Sequence, residues 1–195
     1  MNKLTLGLVM PIEAHGMSPV PNLDRHLERA KLADDLGFAA LWLRDVPFNV
    51  PSFGDAGQTF DPFVYLGLLA GATHSIGLGV ASIILPFRHP AHVAKAAASV
   101  DVFSDGRMLL DVASGDRPEE YPAMNADFET RADRFRDSFS YIKEMAKPYP
   151  QGDFAQGRLM GGADMLPKPS GASPPLLVTG GSRQHPDWVA RNSDG

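Results

Sequence analysis

Apolar and polar positions follow two rhythms along the chain. Short apolar runs at Leu4 to Met10, Phe38 to Leu43, Ile76 to Leu85, Arg107 to Ala113 and Leu176 to Val178 have the length of buried strands. Longer stretches with helical spacing lie between them. Leu23 to Leu36 sets Leu23, Leu27, Ala30 and Leu36 on one side, with Asn22 or Asp24 as its start and Gly37 as its stop. Asp61 and Pro62 read as the N-cap and first turn of the next helix. His92 to Phe103 is an Ala-rich helix closed by the turn Ser104-Asp105-Gly106. Thr130 to Ala146 carries Phe135, Phe139 and Ile142 on one face, and Pro186 to Arg191 begins a last helix. Val46 to Phe60 is irregular, and Lys147 to Pro175 reads as a Pro/Gly-rich connector.

Strands alternating with helices predict right-handed βαβ units and a parallel sheet. An open doubly wound sheet calls for a Gly-rich fingerprint after the first strand, and Met10-Pro11-Ile12-Glu13 is not one. The prediction is therefore an α/β fold of the (β/α)8 TIM-barrel type, in one domain over residues 1–195. A full barrel takes roughly 250 residues. Five units ending at Asp194-Gly195 read as the N-terminal part of such a barrel.

Composition narrows the function without naming it. Charged residues make up 21% and the net charge is −5, without the clustered Lys and Arg that nucleic acid or an anionic membrane requires. With no cysteine, disulfides, thiolate metal sites and a cysteine nucleophile are excluded. The start Met1-Asn2-Lys3 leads into a strand-like run with no secretory pattern, and no apolar run reaches membrane-spanning length, so a cytoplasmic protein is expected.

In a barrel the chemistry sits in the loops after the strands. Those loops hold Pro11, Ile12 and Glu13; Arg44 and Asp45; Arg88 and His89; Ser114, Gly115, Asp116 and Arg117; and Thr179, Gly180, Gly181 and Ser182. Small residues let backbone amides approach an anion, so Gly180-Gly181-Ser182 near Arg183, and Ser114-Gly115 near Arg117, read either as phosphate sites or as plain strand-to-helix turns. His89 suits general acid–base work at neutral pH, but it also precedes Pro90, where a helix-capping role fits equally. Asp45 pairs with Arg44 or Arg88, or handles protons. Phe48, Phe53 and Phe60 line an apolar site or pack on the barrel.

One combination is specific. Gly79-Val80-Ala81-Ser82-Ile83-Ile84-Leu85-Pro86-Phe87-Arg88-His89-Pro90, an Ala-rich helix, Ser104-Asp105-Gly106-Arg107 and a strand ending Ser114-Gly115 together resemble the luciferase-like monooxygenases. Ala40-Leu41-Trp42-Leu43-Arg44-Asp45-Val46-Pro47 and Ser52-Phe53-Gly54-Asp55 are similar to a subgroup of luciferase-type oxidoreductases. The resemblance implies a barrel that binds reduced FMN, or in one branch a deazaflavin, at its C-terminal face. It implies a non-prolyl cis bond at Ala81-Ser82 against the flavin, a phosphate contact at Ser114, and a ribityl-phosphate contact at Thr179 to Ser182. Where light-emitting relatives place a catalytic histidine after the second strand, this chain has Val46-Pro47, which leaves His89, Arg88 and Asp45 for proton handling.

The resulting expectation is an FMN-dependent monooxygenase that uses oxygen on a small organic substrate, served by a flavin reductase. A deazaflavin-dependent dehydrogenase and a non-catalytic flavin-binding protein are the alternatives. The open edges of a five-strand sheet also lead to the expectation of a homodimer, or of further chain to cover them.

Overall fold

The computed structural model describes residues 4–10, 18–54, 60–171 and 173–195. In chain order the elements are β1 (Gly7–Val9), α1 (His26–Asp35), β2 (Ala40–Leu43), α2 (Pro62–Ala72), β3 (Gly77–Ile84), α3 (Pro90–Phe103), β4 (Met108–Ala113), α4 (Arg131–Met145), β5 (Gln151–Phe154), β6 (Gly157–Met160), β7 (Leu176–Val178) and α5 (Pro186–Asn192), with short 3-10 turns between some of them. Five strands form one parallel sheet in the order β1-β2-β3-β4-β7. Consecutive parallel strands linked by helices are what the sequence predicts for the first five units of a (β/α)8 barrel. Among the described residues, no helix is long and apolar enough to cross a membrane.

Strand alternation divides the sheet into two faces. Leu41, Leu43, Leu78, Val80, Leu110, Val112 and Leu176 point toward the helices and are buried against residues such as Leu66, Leu69, Val93, Ala97, Phe135 and Phe139. On the opposite, inner face lie Val9, Trp42, Gly79, Leu109, Asp111 and Leu177, by the registers of neighbouring strands. The Trp42 indole crosses this face in space that glycines leave open. A Cβ on Gly79 would lie 2.3 Å from the ring and one on Gly7 2.6 Å from it.

Two polar hubs brace the end of the sheet opposite the functional loops. The Asp34 carboxylate accepts from the amides of His74 (2.5 Å), Ser75 (3.2 Å) and Ile76 (2.8 Å) and from the Ser75 hydroxyl (2.5 Å). Arg107 donates to the carbonyls of Ala70, Thr73, Ile76 and Ser104 and to Thr73 Oγ1, tying the end of α2 to the start of β4.

Local chemistry explains where elements begin and end. Asp61 caps α2 as predicted, its Oδ1 accepting from Phe63 N at 3.0 Å and Val64 N at 3.2 Å, with Pro62 in the first turn. α1 starts later than predicted because Asn22 and Asp24 hydrogen-bond to each other in an Asx turn instead of capping it. α3 starts earlier, at Pro90, because the His89 ring caps it. β1 is shorter than its apolar run, and Leu4 and Leu6 remain exposed. The connector holds an antiparallel hairpin, β5–β6, that its polar and glycine-rich sequence concealed. The hairpin lies on α4, where Asp137 accepts from Ala155 N at 3.1 Å and Ser138 Oγ from Gln156 Nε2 at 2.8 Å.

Candidate functional site

A cavity of about 600 Å³ opens at the C-terminal ends of β3, β4 and β7. Ala81, Ser82, Ser114, Gly115, Thr179, Gly180 and Ser182 all line it, and Gly181 does not. Pro11, Ile12 and Glu13, expected after β1, lie outside the described residues. At the end of β3 the register with β4 shifts between Val80 and Ile83, so Ala81 and Ser82 leave the ladder and border the cavity. Their peptide bond is cis.

The loop after β7 is a tight left-handed turn, with φ of 60° at Gly180, 69° at Gly181, 47° at Ser182 and 62° at Arg183. It is not the start of α5, which His185 caps separately, so the expected anion site just before a helix is instead a self-contained turn. Ser182 is buried, its hydroxyl accepting from Ser114 N at 3.2 Å and donating to Thr179 O at 2.9 Å. The Ser114 amide and the Ser182 hydroxyl, both expected to face a phosphate, are thus spent on fastening two strand ends together. Gly180 keeps the exposed position.

Gly115 stands where another residue would collide. Its φ is 78°, and a Cβ would come within 2.8 Å of Ile84 Cγ2 and 2.9 Å of the Tyr121 hydroxyl. That hydroxyl donates to Ser114 O, and burial pushes the phenol up to about 12, so it stays protonated. Gly115→Ala is expected to cost about 3 kcal/mol, from the left-handed backbone and the overpacking together, as a lower midpoint in urea unfolding.

The cavity wall carries surplus positive charge. Arg44, Arg117, Arg131 and Arg183 line it against Asp45 and Asp116, in a chain whose net charge is −5. Arg117 lies 4.6 Å from the Phe53 ring and 3.9 Å from Glu120, whose carboxyl burial pushes up despite that arginine. Arg131, at the start of α4, stacks 3.4 Å from the Phe128 ring. Of the loop phenylalanines, Phe60 packs on Tyr65 and Phe48 is exposed.

The three residues expected to handle protons are fixed in other ways. Asp45, whose side chain is 1% exposed, accepts from Arg88 Nη2 at 2.8 Å, Arg88 Nε at 3.2 Å and Ile84 N at 3.1 Å. Arg88 also reaches Asp61 at 3.1 Å. Burial draws the guanidinium pKa down, but the bonds and charges of Asp45 and Asp61 outweigh it and the group stays charged. His89 Nδ1 accepts from Ala91 N at 3.2 Å, which leaves the proton on Nε2 to donate to Gln156 O at 2.9 Å. Both ring nitrogens are committed, and the ring lines a separate groove between α2 and α3 with Arg88 and His92. His89 thus joins α3 to the hairpin and takes the capping alternative that its place before Pro90 offered.

The sequence profile of the family described as Luciferase-like monooxygenase matches residues 4–195. The chain belongs to this family. Among luciferase-like relatives, the oxygenase component of the flavin-dependent trigonelline monooxygenase of Acinetobacter baylyi is 30% identical over 169 residues, covering 86% of this chain and 42% of that protein. The F420-dependent hydroxymycolic acid dehydrogenase of Mycobacterium tuberculosis is 31% identical over 126 residues, covering 63% of this chain and 34% of that protein. Among solved structures, the monooxygenase RslO1 of Streptomyces bottropensis superposes with a TM-score of 0.76 at 23% identity, over 90% of this chain and 53% of its own. The luciferase-like chain thus spans about half or less of the length of these three proteins.

Arg131 and Asp111 are among the residues at or beside the site that escaped sequence reasoning. Arg131 enters from a helix, and no spacing on its own segment ties it to a strand end. Asp111 sits on the inner face of β4 inside an otherwise apolar run, and strand parity was the signal that pointed to it.

Proposed function

We propose that the cavity is a flavin site, and that the chain supplies the flavin-binding wall of an FMN-dependent monooxygenase acting on a small organic substrate. The observation that carries this reading is the convergence of three strand ends on one positively charged cavity of a size that suits a cofactor. Bound in its reduced form, FMN supplies the electrons with which oxygen is used. In this reading the exposed Gly180 backbone, with Arg131 and Arg183, holds the phosphate. Ala81, Ser82, Ser114 and Gly115 border the ring system. The Arg117 guanidinium under Phe53 closes the side toward the loop after β2 and keeps water from it. Asp45, held by Arg88, forms part of the wall.

A separate flavin reductase is the proposed partner, in keeping with a relative named as an oxygenase component. A second copy of the chain is proposed on α2, which has no charged residue yet leaves Val64 76% and Leu68 47% exposed. The F420-dependent relative supports a deazaflavin as the second reading, because the same charge surplus suits that phosphorylated cofactor.

Fluorescence titration tests the assignment. FMN is expected to be quenched saturably, with affinity falling about tenfold in Arg131→Ala and falling also as salt is raised. Riboflavin, which lacks the phosphate, should bind more weakly. Equal binding of riboflavin and FMN would remove the phosphate assignment, and saturable binding of a deazaflavin alone would move the chain to the second reading.

A further inference from the structure

Asp111 is a carboxylate in a place that does not favour one. Apart from Ser82 at the end of β3, the inner face of the parallel strands is built from glycine, alanine and apolar side chains, and Asp111 stands on it with only 8% of its surface exposed. One carboxylate oxygen, Oδ2, accepts the hydroxyl proton of Thr179. The other, Oδ1, is buried and takes no hydrogen bond from any described residue. No arginine or lysine is paired with it among the described ion pairs. Burial raises its pKa above the ordinary carboxylate range, while Thr179 and the neighbouring amides pull it only part of the way back. A buried charge without a cation is costly, and where it persists beside a cavity it points to a task there.

The task follows from what Thr179 does. Thr179 lines the cavity, while Asp111 lies next to it below the lining. A hydroxyl has one proton to give. Once that proton goes to Asp111, only lone pairs of Thr179 Oγ1 remain for a ligand. We propose that Asp111 is a positioning residue that fixes the Thr179 hydroxyl as a hydrogen-bond acceptor toward the cavity, so that the site selects a ligand presenting an O–H or N–H at that point. The inference rests on the flavin reading for the identity of that ligand, since a flavin offers both a ring N–H and ribityl hydroxyls. An asparagine at 111 would turn its amide toward Oγ1, release the hydroxyl proton into the cavity and invert the polarity.

The test uses Asp111→Asn, Thr179→Val, the double variant and Thr179→Ser. FMN affinity should fall at least tenfold in each of the first two, fall no further in the double variant, and be retained in Thr179→Ser, which keeps the hydroxyl. The thermal midpoint of Asp111→Asn should hold or rise, because a desolvated charge has gone. Unchanged affinity in Asp111→Asn, or losses that multiply in the double variant, would overturn the proposal. A second readout needs no flavin. In the ligand-free protein, Thr179→Val should move the Asp111 carboxyl 13C resonance, and an unmoved resonance would overturn the contact itself. Failure of the wild-type chain to bind FMN would instead count against the flavin reading, leaving the carbon resonance to decide the positioning role.

Discussion

Arg88→Ala is expected to lower stability by about 3 kcal/mol, which for a chain of this size means a thermal midpoint roughly 6–12 °C lower. The cause is the carboxylate left behind. Asp45 is 1% exposed at its side chain and accepts two hydrogen bonds from Arg88 and a third from Ile84 N. Removing the guanidinium strands a buried charge, and such losses run to about 3–5 kcal/mol. The lower end applies because the Arg88 side chain is itself 26% exposed and the variant admits some water. Arg88→Lys should recover only part of the loss, since an ammonium cannot reproduce the fork that reaches both Asp45 oxygens. Pairing Arg88→Ala with Asp45→Ala should cost less than the sum of the two single changes. Thermal melts of the wild type and the four variants decide the matter. An unchanged midpoint in Arg88→Ala would show that this pair does not hold the fold together.

Asp34→Ala should be nearly as damaging, at about 3 kcal/mol near neutral pH, because it leaves the amides of His74, Ser75 and the buried Ile76 without their acceptor. This effect has a pH signature. Burial alone would raise the Asp34 pKa, but the surrounding donors outweigh it and lower the value from 3.8 to about 2. A folded value below the unfolded one stabilises the protein fully above about pH 4, and that contribution drains away as pH falls toward 2. The gap between wild type and Asp34→Ala, read by urea unfolding across this range, should therefore close in acid. A gap independent of pH would show that the ionised carboxylate is not what holds the loop. Asp34→Asn, which keeps one acceptor, should fall between the two.

Much of this architecture was legible because it is local. Five apolar runs became the five parallel strands, Gly37 ended α1 with φ of 78°, and Asp61-Pro62 opened α2. What stayed hidden depends on partners far along the chain. His89 before Pro90 suited a base or a cap equally, and Gln156, 67 residues away, decides for the cap. Asp45 had Arg44 and Arg88 as possible partners, and only the fold, which brings Arg88 across 43 residues, chooses between them. The β5–β6 hairpin escaped because its strands pair only with each other and rest on α4, so they need no apolar run. That the ends of β3, β4 and β7 would border one cavity was read from strand ends and family likeness together. The roles of Ser114 and Ser182 needed coordinates, since sequence does not say which polar groups are already spent on each other.

The strand order also bears on how the polypeptide is made. β1, β2, β3, β4 and β7 lie side by side in the order in which a ribosome delivers them, so each docks on a neighbour that already exists. No early strand waits for a distant partner, which keeps the search short. The exception is the interval between β4 and β7, which holds α4 and the hairpin. During those seconds of synthesis the growing sheet ends at β4, and its unpaired amides are open to any other nascent strand nearby. The protein is then most in need of a chaperone, until β7 arrives and takes up the amides and carbonyls of that edge.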